Sequence, residues 1–134
     1  MRILIADDHM VYREILKTML RPYGECVTVE DGEQAVRTFQ EALQAKNPFK
    51  LVLLDIQMPN LDGQEALLQI RKLEKRALGP TLDIKEYACI IMQTSLDDPE
   101  SLITAFKKGH CNGFINKPVD REELLAKMKR HQLI

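Results

Sequence analysis

Short apolar segments alternate along the chain with longer segments of helical periodicity, and this alternation constrains the fold more than any other feature. The strand-like runs occupy residues 2–6, 26–29, 51–55, 88–94 and 113–116. The runs at 51–55 and 88–94 are apolar on both faces, as are strands of a parallel sheet that helices cover on both sides. Helix-length crossovers between successive strands require those strands to be parallel. The sequence therefore predicts an α/β fold with five βα units and a doubly wound parallel sheet.

Apolar residues recur at helical spacing in each segment that follows a strand-like run. The recurring positions are Tyr12, Ile15, Leu16 and Met19; Ala35, Phe39, Ala42 and Leu43; Ala66, Ile70 and Leu73; Leu102, Ala105 and Phe106; and Leu124, Leu125 and Met128. Residues 74–86 mix charges with glycine and proline, and they predict a helix end followed by an extended surface loop. Because no linker interrupts the pattern, we expect a single domain over residues 1–134 with no output domain.

Composition excludes several functional classes. Nineteen basic and twenty acidic side chains give a formal net charge of −1, so no overall positive field attracts nucleic acid. The first ten residues lack a signal-peptide core, and no run approaches the roughly twenty apolar residues that span a bilayer. Cys26, Cys89 and Cys111 are scattered and indicate reduced thiols. We therefore expect a cytoplasmic protein that binds neither nucleic acid nor membranes by itself.

Polar residues follow the strand-like runs at the edge where open parallel sheets bind ligands. Asp7 and Asp8 follow the first run, Asp55 ends the third, Thr94 ends the fourth and Lys117 follows the fifth. Three neighbouring carboxylates repel one another, and one lysine does not balance them, so the group requires a further cation. Oxygen ligands favour a hard divalent ion such as Mg²⁺. Each residue taken singly also fits a helix cap or a turn, and it is their convergence that indicates a site.

These residues, in this order, resemble the receiver domains of two-component response regulators. The resemblance covers nearly the whole chain and rests on Asp7 and Asp8, the segment LLDIQMPNLDG around Asp55, Thr94, and Phe114 three residues before Lys117 and Pro118. It implies a flavodoxin-like (βα)5 fold with strand order 2-1-3-4-5. It also implies a signalling protein rather than an enzyme, whose Asp55 accepts a phosphoryl group from a histidine kinase or a histidine phosphotransfer protein. Such a domain catalyses only its own phosphorylation and its slow dephosphorylation.

The resemblance further implies a metal site. Mg²⁺, or Mn²⁺ in its place, would be bound by Asp8 directly, by Asp7 largely through water, by Asp55, and by the backbone carbonyl of Gln57. Together with Lys117, the ion would offset the charge that builds on the phosphoryl oxygens during attack by Asp55.

The resemblance also implies a switch. Thr94 would donate its hydroxyl to the phosphoryl group, and Phe114 would then fill the space that Thr94 and its loop vacate. Plain core packing is the alternative interpretation of Phe114, because aromatic residues are common in strands.

Three features depart from the commonest receiver pattern. His9 follows the acid pair, Ser95 follows Thr94, and the connection at 74–86 is long. None of them removes a site residue. His9 lies beside the predicted pocket, and we interpret it as an exposed residue at the start of a helix rather than as a titrating group of the site.

Two other classes of phosphate-binding protein fit parts of the pattern. A phosphatase of the haloacid dehalogenase type also forms an aspartyl phosphate, but it needs a second acid where this chain has Gln57. A flavin- or nucleotide-binding module would cradle phosphate with a Gly- or Ser/Thr-rich loop, whereas the first loop here, ADDHM, is acidic and contains no glycine. Release of phosphate from a generic ester, or a nucleotide bound to the purified protein, would favour these alternatives.

The chain stops after the last predicted helix, so the signal is expected to leave through a protein surface. The resemblance implies the face of the fourth helix, fifth strand and fifth helix, where the basic residues are Lys107, Lys108, Lys127, Lys129 and Arg130. The alternative is that these side chains are simply solvated. We expect a monomer, with a dimer on phosphorylation as an open alternative.

Overall fold

The structure is a computed structural model that describes residues 1–79, 87–95, 100 and 110–134. Its strands are β1 (Arg2–Ala6), β2 (Glu25–Val29), β3 (Leu51–Asp55), β4 (Cys89–Thr94) and β5 (Gly113–Asn116). Its helices in the described residues are α1 (Met10–Leu20), α2 (Gly32–Gln44), α3 (Gly63–Leu78) and the C-terminal helix (Arg121–Arg130), with a short 3-10 helix at Arg21–Tyr23. The predicted helix around Leu102, Ala105 and Phe106 and the predicted loop at 80–86 lie outside the described residues.

All strand pairs in the sheet are parallel, and the strand order is β2-β1-β3-β4-β5. The predicted α/β class and the order 2-1-3-4-5 are therefore confirmed. Two strands differ from the prediction by one residue, since β2 begins at Glu25 and β4 at Cys89. The register explains both limits, because Arg2 pairs with Glu25 and Leu51 pairs with Cys89.

Each face of the sheet carries its own hydrophobic core. One core lies between the sheet and helices α2 and α3, and it includes Phe39, Val52 and Ile70. The other core lies between the sheet and two helices, α1 and the C-terminal helix, and it includes Ile5 and Leu53. Side chains of successive strand residues point to opposite faces, so β3 contributes to both cores and every one of its residues is buried. This explains why its sequence is continuously apolar up to Asp55.

Helix α1 departs from the predicted pattern. Leu16 and Leu20 are its buried residues, whereas Ile15 is 43% exposed and Val11 is 67% exposed. The sequence pattern grouped Ile15 with Leu16 among the apolar positions of this helix. The two residues are adjacent, however, and a helix turns by about 100° per residue. Leu16 therefore faces the sheet and Ile15 faces solvent.

Aspartates begin three of the helices. Asp31, Asp62 and Asp120 accept hydrogen bonds from backbone N–H groups in the first turns of α2, α3 and the C-terminal helix, at 2.8, 2.9 and 3.1 Å. Such caps satisfy N–H groups that have no partner within the helix. Among the helices that the structure describes, not one combines the length and the apolar character needed to cross a bilayer.

A buried ionic cluster links α3 to the edge of the sheet where the strands begin. Glu74 is 1% exposed, and its carboxylate accepts from Arg71 Nη1 and from the Ala88 N–H, both at 2.6 Å. Arg71 also donates to the carbonyls of Ala88 and His110, and to Asn112 Oδ1 at 2.8 Å. The cluster thus joins α3 to the start of β4 and to the residues that lead into β5.

Replacing Glu74 with alanine is expected to lower the free energy of unfolding by about 3–5 kcal/mol, because the change removes the carboxylate that pairs with the Arg71 charge and leaves the Ala88 N–H without its acceptor. Denaturant unfolding followed by circular dichroism measures the loss. The exposed Glu41 on α2 is the matched control, and Glu41→Ala should change stability by less than about 0.5 kcal/mol. Equal stability of the Glu74→Ala and wild-type proteins would contradict the structural role given to this cluster.

Candidate functional site

The loops after β1 and β3 bring three aspartates together at the carboxyl edge of the sheet. Asp7 and Asp8 lie between β1 and α1, and Asp55 is the last residue of β3. Carboxylate oxygens of these three residues and a ring nitrogen of His9 all lie within 4.8 Å of one another. Asp7 is fully buried, whereas a third of the Asp8 side chain, 35%, is exposed. The predicted convergence of the acids is therefore present.

Lys117 lies between two of the acids. Its ammonium nitrogen is 2.9 Å from Asp55 Oδ2, in a hydrogen bond, and 2.9 Å from Asp7 Oδ2, in an ion pair that lacks the alignment of a good hydrogen bond. One positive charge thus faces two carboxylates directly, and a third lies beside them. The acidic group remains net negative, as the sequence predicted.

The turn after β3 is held by backbone contacts. Asp55 Oδ1 accepts from the Gln57 N–H at 3.3 Å, and the Gly63 N–H donates to the Ile56 carbonyl at 2.8 Å. The start of α3 packs so closely on β3 that a Cβ atom on Gly63 would overlap the carbonyl oxygen of Asp55. Glycine at this position therefore lets the helix begin directly against the strand that carries Asp55.

Burial and charge shift the pKa values of Asp55 and Lys117. Burial raises the pKa of the Asp55 carboxyl group above 3.8, and the contact with Lys117 offsets only part of that effect, while the charge of Asp7 raises it further. Burial alone would lower the pKa of Lys117, but its contacts with Asp7 and Asp55 outweigh burial and raise it. The lysine is therefore held as a cation, and the charged form of Asp55 is less stable than that of an exposed aspartate.

Two adjacent cavities open onto this group. A cavity of about 150 Å³ has Asp55, Thr94 and Lys117 in its wall, together with His9 and Gln57. A larger cleft of about 590 Å³ lies next to it and includes Asp8 and Gln57. Asp55 lines the small cavity at the strand end, so an atom bound to its carboxylate there would share the cavity with Thr94 and Lys117.

Thr94 and Phe114 occupy the positions that the sequence predicts, with different surroundings. Thr94 is 2% exposed, and its hydroxyl donates to the Ser95 carbonyl at 2.7 Å rather than to Asp55. Phe114 is half-buried and packs against the core that α2 and α3 cover. The basic residues Lys107 and Lys108 lie outside the described residues, whereas Lys129 and Arg130 are exposed on the C-terminal helix.

Three residues near the site were not identified from the sequence as part of it. The Tyr12 ring centroid is 4.9 Å from Lys117 Nζ, and Arg13 donates to the backbone carbonyl of Asp7 at 2.8 Å. Gln93 is fully buried in β4 next to Asp55 in the register, and its amide has no hydrogen-bond partner within the described part of the chain. Tyr12 had a helical spacing that predicts only core packing. Gln93 was detectable as a polar residue inside an otherwise apolar strand.

The donor set fits a hard divalent cation. Its members are carboxylate oxygens of Asp7, Asp8 and Asp55, with a ring nitrogen of His9 beside them, and the net negative charge left after pairing with Lys117 favours a doubly charged ion. In sites of this kind Mg²⁺ usually keeps several of its waters and takes one or two carboxylates from the protein.

Comparison with known proteins identifies the family. Residues 3–129 match the family described as response regulator receiver domain. The chain belongs to this family. The receiver domain is 37% identical over 129 residues to a probable transcriptional regulator from Cyanophora paradoxa. The aligned residues make up 96% of this chain and 46% of the relative. It is 30% identical to a two-component response regulator from rice, Oryza sativa, over 96% of this chain and 94% of the relative.

A solved structure of similar fold contains a magnesium ion. The receiver domain of a sensor histidine kinase from Pseudomonas aeruginosa has a TM-score of 0.73 to this receiver domain, with 27% identity over 96% of this chain and 94% of that one. A magnesium ion is coordinated in the active site cleft of that protein. The receiver domain described here spans less than half the length of several curated relatives, including regulators and histidine kinases.

Replacing Asp55 with asparagine is expected to raise the free energy of unfolding of the metal-free receiver domain at neutral pH, by an amount on the order of 1 kcal/mol. The folded-state pKa of Asp55 lies above its ordinary value of 3.8, so its charge costs stability at neutral pH. That cost begins to fall as the pH drops through the raised pKa, and it is gone below 3.8, where the carboxyl group is protonated in both the folded and the unfolded state. The advantage of the variant should therefore shrink to nothing in acid.

Thermal unfolding in the presence of a chelator, from neutral pH to below the ordinary carboxyl pKa, measures this difference. Asp120→Asn is the matched control, because it changes an exposed aspartate whose capping role asparagine retains. The prediction is wrong if Asp55→Asn is less stable than wild type at neutral pH, or if its advantage grows in acid.

Proposed function

We propose that Asp55 accepts a phosphoryl group from a phosphohistidine donor in a Mg²⁺-dependent reaction, and that the modification switches a protein-interaction surface. One observation carries the proposal. The Asp55 carboxylate lies in the wall of a small cavity, 2.9 Å from the ammonium group of Lys117 and within 4.8 Å of oxygens of Asp7 and Asp8. This arrangement offers a nucleophile, a cation and metal ligands to one bound phosphoryl group.

The transfer requires no base from the protein. An oxygen of the ionised Asp55 carboxylate forms a bond to phosphorus as the bond between phosphorus and the donor imidazole nitrogen breaks, and the imidazole leaves with the bonding electron pair. Asp55 is already anionic, and the Gln57 N–H binds its Oδ1, which leaves Oδ2 toward Lys117. Attack by Oδ2 replaces the contact with Lys117 by a bond to phosphorus.

Lys117 then stabilises the product. Its ammonium group is within reach of any oxygen bound next to Asp55 Oδ2, and it keeps its ion pair with Asp7. Negative charge that builds on the equatorial oxygens of the phosphoryl group thereby meets a fixed positive charge. Asp8, Asp7, Asp55 and the Gln57 carbonyl would hold Mg²⁺, or Mn²⁺ in its place. When bound, the ion supplies charge neutralisation at the transferring phosphoryl group.

Thr94 connects the site to the rest of the domain. Its hydroxyl donates to the Ser95 carbonyl, so its donor is occupied within its own loop until an anionic oxygen competes for it. A hydrogen bond to a charged acceptor is stronger than one to a neutral carbonyl. Rotation of the hydroxyl toward the phosphoryl group would release Ser95 and draw the end of β4 toward Asp55.

The surface that responds is proposed to contain Phe114 and the C-terminal helix. Phe114 lies in β5, which pairs with β4, and its partner in the register is Met92, two residues before Thr94. A shift of the β4 end therefore reaches Phe114 through one strand pair. Lys127, Lys129 and Arg130 give the neighbouring helix a basic end that suits a protein partner with acidic groups.

The partners of the receiver domain are proposed to be a histidine kinase or a histidine phosphotransfer protein upstream, in the cytoplasm, and a protein target downstream. Turnover of small phosphate esters is not proposed, because Gln57, two residues after Asp55, carries an exposed amide that neither gives nor takes a proton. No nucleic acid or membrane contact is proposed for this domain, whose formal net charge is −1.

Incubation with acetyl phosphate and Mg²⁺ is expected to add one phosphoryl group to the receiver domain, because Asp55 attacks small phosphoryl donors by the same chemistry. Intact mass spectrometry detects the added mass. Asp55→Asn should remain unmodified, whereas the control variant Asp120→Asn should be modified like wild type. A phosphoryl group that survives in Asp55→Asn would falsify the assignment of this residue, and removal of Mg²⁺ without effect would contradict the metal requirement.

Beryllofluoride with Mg²⁺, which imitates an aspartyl phosphate, is expected to shift the backbone amide resonances of Phe114 and of the C-terminal helix. The same addition to Thr94→Ala should shift the pocket residues but leave Phe114 nearly unchanged, because the variant lacks the hydroxyl that transmits the change. Two-dimensional ¹H–¹⁵N spectra measure both. Shifts confined to the pocket in the wild-type protein would rule out the proposed surface.

A further inference from the structure

The imidazole of His9 lies against the acidic group. Its Nδ1 atom is 3.1 Å from Asp8 Oδ1 and 3.4 Å from Asp7 Oδ1, and the ligand atoms of these residues and of Asp55 all lie within 4.8 Å of one another. His9 also lies in the wall of the small cavity with Asp55 and Lys117. The interpretation of His9 as an exposed residue at the start of a helix is confirmed, because it is the N-cap of α1 and its side chain is 70% exposed.

The backbone fixes where the imidazole can reach. The His9 N–H donates to Asp7 Oδ1 at 2.9 Å, and the His9 carbonyl accepts from the Arg13 N–H at 3.0 Å. His9 is the N-cap residue of α1, yet its side chain makes no capping hydrogen bond. The ring is therefore anchored beside the two carboxylates without being used to begin the helix.

The distances fit ligands that share one ion. Nitrogen and oxygen ligands bind Zn²⁺ at about 2.0–2.2 Å, so two ligands of one ion lie about 3.0–3.5 Å apart in octahedral or tetrahedral geometry. The separations of His9 Nδ1 from the oxygens of Asp8 and Asp7, 3.1 and 3.4 Å, fall in this range. The His9 side chain is 70% exposed, so an ion can reach it from solvent without a change in the core.

A surface ion pair is the alternative explanation of the same contacts. A protonated His9 would be attracted to Asp7 and Asp8, but such a pair with an exposed partner contributes little stability. It would also add a positive charge beside a group that binds a cation. The two explanations differ in one measurable respect, since only the first gives the site a nitrogen ligand.

We propose that His9 is an additional metal ligand of the acidic site. Its imidazole gives the site a higher affinity for divalent ions that bind nitrogen, such as Zn²⁺ and Co²⁺, than the oxygen ligands alone would give. The inference rests on the proposed function, because it concerns the same metal site. Mg²⁺ has little affinity for nitrogen and binds the oxygens alone, whereas borderline transition-metal ions bind imidazole and carboxylate together. His9 thus sets which metals compete with Mg²⁺ at Asp55.

The test compares metal binding by the wild-type receiver domain, His9→Asn and the control His131→Asn, which removes a histidine at the end of the C-terminal helix. Isothermal titration calorimetry with Zn²⁺ should show wild type and His131→Asn binding at least about tenfold more tightly than His9→Asn, because one ligand is lost. The Kd for Mg²⁺ should agree among the three proteins within about twofold.

Pulsed electron paramagnetic resonance of bound Mn²⁺ identifies the ligand directly. Coupling to an imidazole ¹⁴N nucleus is expected in wild type and His131→Asn and not in His9→Asn. Asp8→Asn, measured in parallel, should weaken both Zn²⁺ and Mg²⁺, which assigns the zinc to this site and not to a cysteine. Equal zinc affinity in wild type and His9→Asn, without nitrogen coupling, overturns the inference.

Phosphorylation separates this inference from the function on which it rests. His9→Asn should still be modified by acetyl phosphate and Mg²⁺, since Asp55 and its oxygen ligands are intact. A wild-type domain that shows nitrogen coupling but is never phosphorylated supports the ligand and contradicts the proposed function. A domain that is phosphorylated normally but lacks nitrogen coupling contradicts only the role of His9.

Discussion

Lys117 holds the carboxylates of Asp7 and Asp55 at the same distance, 2.9 Å, on either side of its ammonium group. Without that charge, two buried acids and a third beside them would repel one another across the ends of β1 and β3. The pairing remains incomplete, because one cation does not neutralise three anions. The group therefore forms in the folded chain but keeps an excess of negative charge, which a divalent ion can neutralise.

The backbone determines where this group lies. β3 is buried on both faces and ends at Asp55, and Gly63 allows α3 to begin against that strand end without steric overlap. The Gln57 N–H then binds one oxygen of the carboxylate, which leaves the other oxygen facing Lys117. Hydrophobic packing therefore positions the Asp55 carboxylate, and the polar contacts orient its two oxygens. This division is typical of sites placed at the carboxyl ends of parallel strands.

Much of the fold and the site was predictable, because local patterns impose them. Strands that alternate with helices must be parallel, so residues such as Asp7, Asp55 and Lys117 had to meet at one edge however far apart they lie in sequence. Contacts that depend on three-dimensional neighbours were not predictable. Glu74 lies near the end of α3, where a charged residue is usually exposed, yet it is buried and accepts a hydrogen bond from the Ala88 N–H. Ile15 is apolar like Leu16, yet it faces solvent. Periodicity gives the face of a helix only approximately.

The ionic cluster of Arg71 and Glu74 restricts how α3 can move against the sheet. It fixes α3 to the beginning of β4 and to the residues before β5, at the end of the sheet remote from Asp55. Sliding β4 along α3 would therefore break the hydrogen bonds that Ala88 makes with Arg71 and Glu74. These bonds tie the amino ends of β4 and β5 to one helix, whereas no such cluster joins the described carboxyl ends of the two strands to α3.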